Sequence, residues 1–112
     1  NEDICLYEGG MVYRDYMHVD NVSRSIKFIM ERGAENEIYN VGTGHPSYYY
    51  DIIKMAHDYI PGCTSKITSM ETPEFYSRNQ PKNFYLNSEK LIKMGFKENT
   101  SLNIGIKKLC TN

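Results

Sequence analysis

Apolar positions along this chain fall into short runs whose period switches between two and about three and a half, the alternation expected of strands and helices in turn. Cys5, Leu6 and Tyr7 form a short strand candidate, stopped by the turn signal Glu8, Gly9, Gly10. Residues 11–18 alternate loosely and are rich in strand formers. A helix is then predicted from near Val22, capped by Asp20 or Asn21, with Val22, Ile26, Ile29 and Met30 on one face and Gly33 at its stop. Residues 37–41 read as a strand ending in the turn Gly42, Thr43, Gly44. A second helix follows, capped by Ser47, with Tyr49, Ile52, Ile53, Ala56 and Ile60 as its apolar stripe and Pro61 and Gly62 as its end. Residues 65–70 are a strand candidate, and 71–82, with two prolines and no period, a loop. Phe84, Tyr85 and Leu86 form an extended piece. Asn87 or Ser88 caps a helix running to Met94, and Ser101 caps a last one holding Leu102, Ile106 and Leu109.

This order implies one α/β domain over residues 1–112, with short strands and about four helices. The strands are too few and too short to complete a sheet. The chain therefore reads as part of a larger fold, or as a small lobe that packs on one.

Composition narrows the function. Thirteen basic residues against fourteen acidic give a net charge of −1, which leaves no footprint for nucleic acid or an anionic membrane. No apolar run approaches the roughly 20 residues that cross a bilayer. No signal-like segment opens the sequence, so a cytoplasmic protein is expected. Cys5, Cys63 and Cys110, odd in number and far apart, fit reduced thiols in that compartment. Ten tyrosines without a tryptophan mean either a ligand surface or a tyrosine-rich core.

Most catalytic signatures are missing. Neither glycine turn has the G-x-G-x-x-G spacing of a dinucleotide fold. His18, His45 and His57 have no metal-ligand spacing, so no metal site is expected. Tyr50 and Lys54 spell Y-x-x-x-K, a proton-transfer pair in short-chain dehydrogenases, but they sit among the stripe residues of a peripheral helix and read as a chance match.

The segments "RDYMHVDNV", "EIYNVGTG", "NFYLNSEKLIKMGF" and "SLNIGIKKL", in that order and spacing, resemble the C-terminal part of the extended short-chain dehydrogenases, the NAD(P)-dependent nucleotide-sugar epimerases and dehydratases. The resemblance runs over about 6–109. It implies the substrate-binding lobe of a Rossmann-type epimerase. In that family the glycine-rich NAD or NADP loop and the catalytic Ser/Thr and Tyr-x-x-x-Lys precede the R-D-Y block. No residue of this chain is thereby assigned to catalysis or to the cofactor, and the absence of an initiator methionine fits a fragment.

The resemblance also implies a diphosphate contact for Arg14, the alternative being an ion pair with Asp15 or another neighbour. A second arginine is expected before the "FYLN" block. Arg78 is the candidate, although the family's R-x-G-D is replaced by Tyr76, Ser77, Arg78, Asn79, Gln80. Tyr76 would stack on a base or sugar, His18 and Asp20 would be structural, and Asn21 stands where the family commonly has an acid.

Two functions follow. One is a nucleotide-diphosphate-sugar lobe working with a Rossmann half in cis or in trans. The other is a non-catalytic interaction module or degenerate remnant that self-associates, forming a homo-oligomer to cover its apolar faces.

Overall fold

The structure is a computed structural model that describes residues 2–111. Its strands are β1 (Ile4–Tyr7), β2 (Tyr13–Arg14), β3 (Ser47–Tyr48) and β4 (Ile67–Met70). Its helices are α1 (Val19–Arg32), α2 (Tyr49–Tyr59), α3 (Glu74–Asn79), α4 (Glu89–Lys93) and α5 (Leu102–Thr111), with a 3-10 turn at Glu8–Gly10. Two small sheets result. β1 and β4 pair in parallel, Ile4 opposite Ile67 and Tyr7 opposite Met70. β2 and β3 pair antiparallel through Tyr13–Tyr48 and Arg14–Ser47. The α/β class and the short strands agree with the sequence pattern.

Four expectations need correction. Residues 71–82 are not all loop, because α3 forms within them. Pro73 opens it and accepts from the Tyr76 and Ser77 amides, while Glu74 pairs with Arg78 one turn on. All six of its residues are exposed. With no buried residue there is no stripe to read, and the described residues hold five helices where about four were expected.

Residues 37–41 form no strand and have no ladder partner among the described residues. Tyr39 folds back so that its hydroxyl accepts from the Ala34 amide at 2.8 Å, and Asn40 donates to the Asn87 carbonyl. The strand expected over 11–18 is reduced to Tyr13–Arg14.

The caps also shift. α1 starts at Val19, and His18 is its cap, with Nδ1 accepting from the Asp20 amide at 3.1 Å. Asn21, fully buried, is spent elsewhere. Its Oδ1 accepts from the Asn99 and Thr100 amides, and its Nδ2 donates to the Thr100 carbonyl and to Glu98. One amide thus fixes the 98–100 loop to the first turn of α1. Ser47 lies in β3 rather than capping α2, and Tyr48 occupies the cap position. Asn87 Oδ1 accepts from the Glu89 amide at α4, and Ser101 Oγ from the Ile104 amide at α5, as expected for those two helices.

Leu6, Leu91, Phe96 and Ile106 are the buried large apolar side chains among the described residues. Phe28 meets Phe96 edge-on at 5.6 Å, joining α1 to the segment after α4. The α1 stripe itself is half covered. Ile26 is 51% and Met30 82% exposed, because the polar Asn21 and Ser25 face inward beside Val22 and Ile29.

Candidate functional site

A groove of about 740 Å³ opens between the end of β1, strand β2, the first turn of α2, and α3 with the segment after it. Two residues expected at a site, Arg14 from β2 and Tyr76 from α3, line it together. Their backbones are brought together by the chain's return over the β2 edge, where the Phe84 amide donates to the Tyr13 carbonyl and Asn83 Oδ1 accepts from the Tyr13 amide.

Arg14 is not paired with Asp15. Its guanidinium donates to the carbonyls of Tyr13, Pro81 and Lys82 and lies over the Phe84 ring at 5.0 Å. Tyr76 packs against Tyr7, ring centroids 5.7 Å apart, and meets Phe75 edge-on. The pair forms an aromatic wall at the α3 side of the groove. Arg78 stands on the same short helix but is not among the lining residues. Its guanidinium pairs with Glu74, and both side chains are largely exposed.

The groove is rich in tyrosine. Tyr7, Tyr16, Tyr49 and Tyr76 all line it, together with Lys82. Burial pushes the Tyr16 phenol above its ordinary value, with the Arg14 charge opposing and Tyr49 adding to the rise. Tyr16, Tyr49 and Lys82 were not singled out individually from the sequence. The tyrosine count was the available signal, and four of the ten tyrosines line this groove.

Asp15 has a different task. Its carboxylate accepts from the Thr43 amide (2.9 Å), the Thr43 hydroxyl (2.6 Å), the Gly44 amide (3.0 Å) and the Leu86 amide (3.2 Å). Burial raises its pKa, but these four bonds outweigh burial and hold the carboxyl below the ordinary aspartate value. The 42–44 turn therefore wraps an internal carboxylate, and its amides are already spent.

The other glycine turn is also closed. A Cβ at Gly10, whose φ is +72°, would lie 2.8 Å from the Tyr50 amide nitrogen and 2.9 Å from Leu6. In α2 the Lys54 ammonium pairs with Asp58 at 2.6 Å. No group of metal-binding side chains occurs among the described residues, and no helix there is long and apolar enough to cross a membrane.

No family model matches the sequence. Relatives do. The mouse dTDP-D-glucose 4,6-dehydratase is 25% identical over 113 residues, which cover 96% of this chain and 31% of that enzyme. Among solved structures, the dTDP-glucose 4,6-dehydratase of Bacillus anthracis, in complex with NAD, superposes with a TM-score of 0.78 at 17% identity, covering 96% of this chain and 33% of that one. The UDP-glucose 4-epimerase of Thermus thermophilus, also with NAD, gives 0.76 at 19%, covering 94% and 33%. The chain thus spans about a third of the length of the proteins it matches. What it matches, in sequence and in fold, is the C-terminal region of the extended short-chain dehydrogenases, whose members here are nucleotide-sugar dehydratases and epimerases.

Proposed function

We propose that this chain is the nucleotide-sugar-binding lobe of an NAD- or NADP-dependent epimerase or dehydratase, and that Arg14 grips the diphosphate in the groove. The observation that carries the reading is the convergence of Arg14 and Tyr76 on one groove from positions far apart in sequence. A guanidinium offers parallel N–H donors that match phosphate oxygens, and it keeps its charge at any working pH. Tyr76, already held by Tyr7, gives a base or sugar ring a surface to stack on without ordering a free side chain. Lys82 adds a second positive charge at the same wall. Arg78 joins only if it leaves Glu74, an exposed pair that costs little to break.

In this reading the chemistry belongs to a Rossmann half, in the same polypeptide or a separate one. The lobe binds, orients the sugar and closes one side of the site to water. Exposed Ile26, Met30, Ile38 and Leu109 support the need for a covering partner. The same surface would serve the alternative, a self-associating module without nucleotide affinity.

Calorimetric titration of UDP-, dTDP- and GDP-sugars into the chain tests the choice. At least one is expected to bind, and Tyr76→Ala is expected to weaken it by about 5- to 150-fold, the worth of one stacked ring. Absence of binding by all three, together with a concentration-dependent dimer in light scattering, would favour the self-associating module.

A further inference from the structure

Arg14 has two edges, and the fold uses one of them. Nη1 donates to the Lys82 carbonyl and, at 3.0 Å, to that of Tyr13, while Nη2 donates to the Pro81 carbonyl. Two successive carbonyls are thus held by the end of the guanidinium, as a carboxylate would be. The ring of Phe84 lies beneath the same group at 5.0 Å. Residues 81–84 are exposed and belong to neither helix nor strand. Apart from the Asn83 and Phe84 bonds to Tyr13, the guanidinium is what holds this strap to the body of the protein.

Among the described residues, the Nε–H of Arg14 and the second proton of Nη2 meet no acceptor. These two N–H groups form the side edge of the planar group. They are parallel and spaced for a pair of phosphate oxygens. The strap and an anion therefore need not compete for the same donors.

We propose that Arg14 is a two-edged latch, its end edge fixing the 81–84 strap and its side edge taking an oxygen pair of a nucleoside diphosphate, so that ligand binding and strap order reinforce each other. This rests on the reading that the groove takes a diphosphate. The coupling has a plain origin. An arginine already pinned by the strap loses less rotamer freedom when the anion arrives, and an arginine pinned by the anion releases the strap less often. By linkage each event favours the other equally. Exchange would give the opposite sign. A phosphate is a stronger acceptor than a neutral carbonyl, and if it pulled the guanidinium off Pro81 and Lys82 the strap would loosen on binding.

Hydrogen–deuterium exchange of the 82–85 amides, read by mass spectrometry on the full chain with and without UDP, separates these cases. Saturation is established beforehand by calorimetry. The latch predicts slower exchange with UDP, by about 5-fold or more, the lower end of ordinary coupling. In Arg14→Ala the strap should exchange faster without ligand and show no response to UDP. Phe84→Leu, which leaves the guanidinium in place, should retain the response in weakened form, and it serves if Arg14→Ala does not fold. Faster exchange with bound UDP, or unchanged exchange at saturation, would overturn the latch while leaving the groove assignment standing. Failure of UDP, dTDP and GDP all to bind would remove both, and it is recognised in the calorimetry before any exchange is measured; where UDP fails and another of the three binds, the exchange is run with that one.

Discussion

Replacing Asp15 by alanine should cost the fold about 3 kcal/mol, because three main-chain amides lose their acceptor. The Thr43, Gly44 and Leu86 amides all point at its carboxylate, and a bond to a charged acceptor is worth about 1.5–3 kcal/mol when fully formed. The group is only partly buried, and the Leu86 contact is long at 3.2 Å, so about 1 kcal/mol for each amide is the appropriate figure. The Thr43 hydroxyl adds little, since it also faces the His45 carbonyl at 3.0 Å. Urea unfolding followed by far-UV circular dichroism reads the change. With a slope of about 1.5 kcal/mol per molar, the midpoint should fall by about 2 M. The carboxyl titrates lower in the folded chain than in the unfolded one. Its contribution is therefore complete above the unfolded value of about 3.9 and is lost as pH falls through the folded one. The gap between the native chain and Asp15→Asn should accordingly be wide near about pH 7 and close in the acid range below about pH 4. A loss under about 1 kcal/mol for Asp15→Ala, or a gap to Asp15→Asn that survives full protonation, would refute this account of the turn.

Asn21→Ala should destabilise by about 3–4 kcal/mol in the same assay, since it strands the Asn99 and Thr100 amides in a buried site, and a loss under about 1 kcal/mol would mean that water replaces the side chain. Gly105→Ala should drive a methyl into the His18 ring, whose Cδ2 lies 2.5 Å from the added carbon. The α1 cap should then loosen, seen as faster amide exchange at Asp20 and Asn21, whereas an unchanged cap would show that the ring can move aside. Arg78→Ala should leave UDP-sugar affinity within about 2-fold if Glu74 keeps the arginine off the groove, and a drop beyond about 10-fold would return Arg78 to the ligand. Lys54→Met should not change nucleotide binding, because the ammonium is committed to Asp58.

Local caps were legible only in part, since His18 and Tyr48 hold the cap positions of α1 and α2 where Asp20 or Asn21 and Ser47 were expected. The α4 and α5 starts were legible from Asn87 and Ser101 because a cap is a local bond. Residues 37–41 carried a strand pattern, yet a strand also needs a partner edge, and the pattern does not encode where that edge is. α3 was invisible for the converse reason: its turns are set by Pro73 and the Glu74–Arg78 pair, while none of its residues is buried deeply enough to leave an apolar stripe. Arg14 and Tyr76 were picked out through resemblance and residue type, and the fold places both along one groove. Asp15 was not picked out. Its four donors come from segments 28 and 71 positions away, and only the folded chain brings them to one carboxylate.

The parallel pairing of β1 with β4 has a consequence for how the molecule is made. Ile4 waits for Ile67, roughly 60 residues later, and at ribosomal rates of about 5–20 residues per second that is a delay of about 3–12 s. Through that interval the hydrogen-bonding edge of β1 is unsatisfied, and Leu6, destined for the core, is exposed. Because the contact closes so long a stretch of chain, it should also form late and slowly when the purified protein refolds. β1 is thus among the last elements to be secured although it is made about 60 residues before its partner, and a chaperone that shields extended apolar segments would find its substrate in that strand.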